Sequence, residues 1–142
     1  MRKLQEDIAR KIAMAAHAGQ VDKGGNDYIL HPQTVASNVS GDECKAVAWL
    51  HDVLEDTNVT EDDLLGAGLS ERVVKAVKAM TKNQCEDYHE YLQRVKNNNL
   101  TRAVKCEDLV NNCDLSRLGR EVEAEDIARV NKYVRSLQFL FS

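Results

Sequence analysis

Residues 50–57 read LHDVLEDT, a histidine and three acidic side chains among apolar ones. Such a run is either the solvated face of an ordinary helix or half of a metal site. On one continuous helix His51 and Glu55 share a face, and Asp52 and Asp56 share the next. Adjacent His51 and Asp52 then diverge by about 100°, so both reach one ion only at the edge between their faces. The remaining ligands must come from elsewhere. His31 closes a Gly-rich loop just before a helix, and Asp108 lies in the middle of VKCEDLVNN. Together His31, His51, Asp52 and Asp108 make a set of two imidazoles and two carboxylates. Mixed N/O ligation with open positions suits Mn²⁺ or Fe²⁺, and also Co²⁺, Ni²⁺ or Mg²⁺, better than a closed structural zinc site. An ion with an open position lowers the pKa of bound water and supplies a hydroxide-like nucleophile. Val47, Ala48, Leu50, Val53 and Leu54 make the segment largely apolar, which places its His and Asp near the interior, where polar groups need partners.

The elements that must position these residues read as helices throughout. Leu4, Ile8 and Ile12 share one face of a first helix. QVDKGGNDYIL (20–30) is a loop, and Pro32 suits the first turn of a second helix. Ser40 and Glu43 have capping-box spacing and predict a third helix running through LHDVLED. Thr60 and Ser70 predict the caps of two more, with Gly68 ending the first of these. EDYHEYLQRVKN is a further helix, Asn99 caps LTRAVKCEDLVNNCDL, and a last helix covers roughly 124–139. No segment alternates in the two-residue manner of a strand, so the fold class is all-α.

With 142 residues, 43% hydrophobic and 30% charged, the chain suits one domain, 1–142, with a core large enough to need no staple. A net charge of −4 argues against a binder of nucleic-acid polymers. No apolar run has membrane-span length, and Glu6, Asp7 and Arg10 break up any leader-like apolar stretch. Cys44, Cys85, Cys106 and Cys113 form no ligand-spaced pair and read as free thiols, which predicts a cytoplasmic protein. The last helix, with Val130, Tyr133, Val134 and Leu137, packs either on the core or on a second copy in a homo-oligomer.

Three segments carry a family resemblance: YILHP, LHDVLEDT and VKCEDLVNN, in that order. They resemble the Tyr-hydrophobic-x-His-Pro, HDxxED-Thr and Lys-x-x-Asp-x-x-x-Asn segments of the HD superfamily of metal-dependent phosphohydrolases. The similarity is to the hydrolase domain of RelA/SpoT proteins and their small stand-alone relatives, and it runs from about residue 8 to 118. The resemblance implies a compact multi-helix HD domain with one divalent ion, Mn²⁺ first, on His31, His51, Asp52 and Asp108. It gives Glu55 and Asp56 the role of holding and deprotonating the attacking water. It sets Asn112 in the nucleotide pocket and Lys23 on a substrate phosphate. The implied reaction is hydrolysis of the 3′-pyrophosphate of (p)ppGpp, with a nucleoside monophosphate or a dinucleotide 2′-phosphate as the alternative substrate. A non-catalytic nucleotide sensor is the reading from another class. A chain of this length leaves no room for a synthetase, so hydrolysis alone is expected. Asp22 before Lys23 and Glu107 before Asp108 depart from the family pattern.

Other residues keep two readings. Tyr88 and Arg94, either side of Tyr91 at steps of three, suit a stacked base and a phosphate, or a core tyrosine and an exposed arginine. Lys23 is otherwise a solvated loop lysine, and Asn112 a helix C-cap. Lys105 either neutralises the acids or meets substrate. His17 is a cap or core-edge residue, His89 is on the surface, and Trp49 is core.

Overall fold

The computed structural model describes residues 4–142. They are helical throughout, with one isolated bridge between Val21 and Asp27. The order is α1 (Gln5–Ala16), α2 (Leu30–Ser37), α3 (Asp42–Leu50), α4 (Val53–Asp56), α5 (Glu61–Gly66), α6 (Glu71–Met80), α7 (Tyr88–Lys96), α8 (Asn99–Asn112), a 3₁₀ turn over Leu115–Leu118, and α9 (Ala124–Phe141).

Two apolar clusters organise the helices. One gathers Ala9 and Ala13 of α1, Val35 of α2, Val47 and Leu50 of α3, Val73 and Val77 of α6, and Val104 of α8. The other gathers Tyr91, Leu92 and Val95 of α7, Cys106 and Leu109 of α8, and Leu140 of α9. Helix α8 contributes to both, so its remaining face lies at their junction, beside the ends of α2 and α3. That face carries Lys105, Asp108 and Asn112 at spacings of three and four.

Several local expectations are corrected. The third helix does not run through LHDVLED: α3 ends at Leu50, and Asp52 (φ −106°, ψ 0°) leaves helical geometry before α4 begins. Ser40 builds no capping box, because Gly41 at φ 94° takes the cap position of α3. The Asp42 carboxylate instead accepts the Gln5 and Glu6 N–H groups, each at 2.9 Å, and so caps α1 from a neighbouring helix. Leu4 is exposed at the start of α1, leaving Ile8 and Ile12 against the core. The cap of α8 is Asn98, whose side chain accepts from Leu100 and Thr101 N–H, rather than Asn99. Thr60 and Ser70 cap α5 and α6 as the sequence predicts.

The loop between α1 and α2 is built to hold its shape. Asp22 accepts from the N–H groups of Gly24 and Asn26, each at 2.9 Å, and pairs with Arg117 of the 3₁₀ turn at 3.5 Å. A Cβ at Gly24 would fall 2.0 Å from the Arg117 carbonyl oxygen, so only glycine lets the loop seat there. The seated loop forms one wall of the cavity described next.

Candidate metal centre and flanking cavities

His31 stands in the first turn of α2, His51 at the end of α3 and Asp108 in α8; all three are buried. They offer ligand atoms that lie within 4.8 Å of one another. The break after Leu50 turns Asp52 back toward His51, so that Asp52 Oδ2 lies 3.0 Å from His51 Nε2. Asp52 therefore joins the group through His51, at its edge, with its Oδ2 also accepting the Tyr28 hydroxyl.

The imidazoles are oriented from behind. His51 Nδ1 donates to the Ala48 carbonyl at 2.7 Å, and His31 Nδ1 to Asn111 Oδ1 at 2.7 Å. With those protons placed, both Nε2 lone pairs face carboxylate oxygens: His31 Nε2 is 2.8 Å and His51 Nε2 3.4 Å from Asp108 Oδ1. His51 Nε2 is buried with no properly oriented hydrogen bond. Lone pairs converging on carboxylates need a positive charge between them, a proton or a metal ion, and metal-binding histidines are held by their other nitrogen in this way. The residues fit a divalent ion.

The electrostatics agree. Burial opposes the charge on Asp108, but Lys105 at 3.0 Å and then the two imidazoles hold its pKa well below the carboxylate range. Burial likewise opposes the Asp52 charge, and His51 outweighs it, bringing that pKa down to about 2. Burial would lower the pKa of His51, and Asp52 and Asp108 drive it well above the ordinary value. Glu55 and Asp56 are pushed upward, first by burial and then by neighbouring acids.

Two cavities meet at this group. The larger, about 510 Å³, is lined by His31, Asp52, Asp108 and Asn112, the loop with Lys23, and Arg129, Lys132 and Tyr133 of α9. The smaller, about 190 Å³, is lined by His51, Glu55, Lys82 and Tyr91. Asp52, Tyr88, Lys105 and Asp108 belong to both walls.

The sequence-predicted residues distribute as follows. His31, His51, Asp52 and Asp108 come together, with Glu55 beside them in the smaller cavity. Lys23, Asn112 and Tyr88 line the larger one, and Asn112 donates to Asp108 Oδ1 at 3.0 Å. Asp56 is exposed and lines neither cavity. Arg94 is turned away: it pairs with Glu86 at 2.5 Å and donates to the Ala79 and Thr81 carbonyls, each at 3.2 Å. Trp49 is core and His89 exposed, while His17 is a fully buried cap of α1 packed at a tilt against Tyr28, with ring centroids 4.8 Å apart. Sequence reasoning missed Tyr28, Asn111 and the α9 cations. Tyr28 opens the YILHP segment and Asn111 adjoins Asn112, which were the available signals; the α9 residues offered none.

A buried His51 with the part-buried Asp52 beside it, completed by a second histidine and a helix-borne aspartate in an all-α domain, is the arrangement of the HD type of hydrolase fold. No family model matches the chain. It is 30% identical over 138 residues to a guanosine-3′,5′-bis(diphosphate) 3′-pyrophosphohydrolase of Aquifex aeolicus, covering 87% of this chain and 20% of that protein. A protein of the same name from Haemophilus influenzae is 41% identical over 78 residues, 50% of this chain and 11% of its own. The chain thus spans a fifth or less of the curated relatives it matches. A solved structure of a metazoan ortholog of SpoT, described as hydrolysing ppGpp, aligns over 99% of this chain and 96% of its own, with TM-score 0.69 and 19% identity. The chain is thus similar in sequence to one part of these pyrophosphohydrolases and shares the all-α fold of the SpoT ortholog.

Proposed function

We propose that this chain is a metal-dependent pyrophosphohydrolase domain acting on the 3′-pyrophosphate of (p)ppGpp. The observation that carries the reading is the pair of imidazole Nε2 lone pairs and two carboxylates converging between two cavities. The names of the relatives add the substrate class. His31, His51, Asp52 and Asp108 would hold one divalent ion, Mn²⁺ in this reading. When bound, such an ion acidifies a coordinated water and polarises a phosphoryl oxygen.

The chain's own residues do the rest. A Glu55 carboxylate oxygen takes the proton of the attacking water, a task that suits a carboxyl made more basic than usual by burial and by the neighbouring Asp56 and Asp52. Asp56, one residue on, adds a negative charge that raises the Glu55 pKa and so strengthens it as a base. The larger cavity has room for the nucleoside, with Tyr88 and Asn112 beside it and Lys23 on a phosphate. The water oxygen bonds to the phosphorus carried on the 3′ oxygen, and the bond from phosphorus to that oxygen breaks. Its electron pair stays on the ribose oxygen, which takes up a proton, and inorganic pyrophosphate is released. Among the described residues no helix is long and apolar enough to cross a membrane. The four free cysteines support a cytoplasmic setting.

The test is turnover of a nucleotide panel by the Mn²⁺-loaded protein, beside Glu55→Gln/Asp56→Asn. We expect pyrophosphate release from guanosine 3′-pyrophosphates, abolished in the variant while metal binding persists. Turnover of another phosphoester with none of these would reassign the substrate. No turnover of any, with nucleotide still bound, would make the chain a binding module.

A further inference from the structure

We propose that the smaller cavity is a subsite for the second phosphate of a pyrophosphoryl group, with Lys82 as its selective contact. The inference rests on the phosphohydrolase reading and deepens it. His31 lines only the larger cavity, His51 only the smaller, and Asp52 and Asp108 line both, so the ligand group lies between the two and a phosphoryl group held there would be flanked by both. At about 190 Å³ the smaller cavity cannot take a nucleoside, but it has room for one phosphate and the attacking water beside Glu55.

Its charge is arranged for an anion. Lys82 and Lys105 are its two cations. Lys105 is already committed to Asp108 at 3.0 Å. The half-buried Lys82 ammonium donates only to the neighbouring Asn83 carbonyl, at 3.3 Å, and forms no ion pair among the described residues, Glu55 being the acid that feels its charge. The C-terminal end of α6, which adjoins this cavity at Met80, would by itself repel a phosphate with its free carbonyls. Those carbonyls are occupied: Tyr91 Oη donates to Met80 O at 2.6 Å, and Arg94 donates to Ala79 O and Thr81 O. The negative helix end is thereby quenched, and Lys82 is left as the uncommitted donor. A 3′-monophosphate would need the metal centre alone. A 3′-pyrophosphate brings a second group whose charge requires a cation on the Glu55 side, and Lys82 is the one there.

The experiment compares a guanosine 3′-pyrophosphate with the matching 3′-monophosphate, using wild type, Lys82→Ala and Lys82→Arg loaded with one equivalent of Mn²⁺. A second readout, independent of turnover, is calorimetric binding of inorganic pyrophosphate against inorganic phosphate. We expect wild type to bind pyrophosphate more tightly than phosphate. Lys82→Ala should lose about tenfold in pyrophosphate affinity and in the preference for the pyrophosphate ester, the size of one charge-assisted contact, and Lys82→Arg should restore both. Equal pyrophosphate affinity in wild type and Lys82→Ala overturns the inference, whatever the turnover. Wild type that binds pyrophosphate through Lys82 but turns over neither ester overturns the enzyme reading and leaves the subsite standing.

Discussion

Lys105→Met isolates the charge that keeps Asp108 ionised in the absence of metal. The Lys105 side chain is 14% exposed and that of Asp108 8%, with Nζ and Oδ2 3.0 Å apart. At an effective dielectric near 20, charges at that distance attract by about 5 kcal/mol. Releasing the lysine from its own burial returns part of this, which leaves a net loss of about 3 kcal/mol, the low end of what breaking one half of a buried pair costs. Methionine keeps the aliphatic stem near Tyr91, over whose ring Nζ stands at 5.4 Å, so packing is largely preserved. For a chain of 142 residues the loss lowers the melting temperature by roughly 6–12 °C. The assay is thermal unfolding followed by circular dichroism, in EDTA and in Mn²⁺. The deficit should shrink with Mn²⁺, because a divalent ion on the same carboxylate replaces the missing positive charge. A variant melting within about 2 °C of wild type in EDTA would refute the argument and leave the imidazoles as sufficient partners. An equal deficit with and without metal would mean that Lys105 acts through packing.

Two other perturbations test the supports of the site. Asn111→Ala removes the acceptor that fixes His31 Nδ1 and should weaken Mn²⁺ binding by about 10–100-fold with little change in fold, measured by metal titration calorimetry. Asp126 is buried at the start of α9, where Arg120, the Glu123 N–H and Arg129 hold its pKa far below the usual value of 3.8. A depressed folded pKa contributes stability that is present above the unfolded value and lost as pH falls through the folded one. Wild type should therefore lose melting temperature below about pH 4 more steeply than Asp126→Asn, which has no such proton to take up; parallel curves between pH 5 and pH 2 would contradict this.

How much of the site the sequence discloses depends on which residues act through spacing and which through packing. His31, His51, Asp52, Asp108 and Glu55 could be named because three short segments carry them at readable separations. The turn at His51–Asp52 could not. Leu50, Val53 and Leu54 have the same spacing whether the helix continues or breaks. On an unbroken helix His51 and Asp52 would diverge by about 100°, yet the break brings Asp52 Oδ2 to 3.0 Å from His51 Nε2. The pairing of Tyr88 with Arg94 fails for the opposite reason. Each step of three falls about 60° short of a full turn, so two steps carry Arg94 some 120° away from Tyr88. Tyr88 reaches the cavities and Ser136, while Arg94 closes on Glu86 and the end of α6. In α9 the chain places Arg129, Lys132 and Tyr133 on the cavity, at positions an isolated helix would simply present to water. Only the docking of α9 on α7 and α8 turns that charge inward, and the docking depends on Leu140 in the second cluster with Tyr133 and Leu137 packed against it. The Lys82 subsite lies at the same limit: its lysine is legible as a charge, but that it forms no ion pair among the described residues, and that Tyr91 and Arg94 occupy the carbonyls at the end of α6, emerges only from the packing.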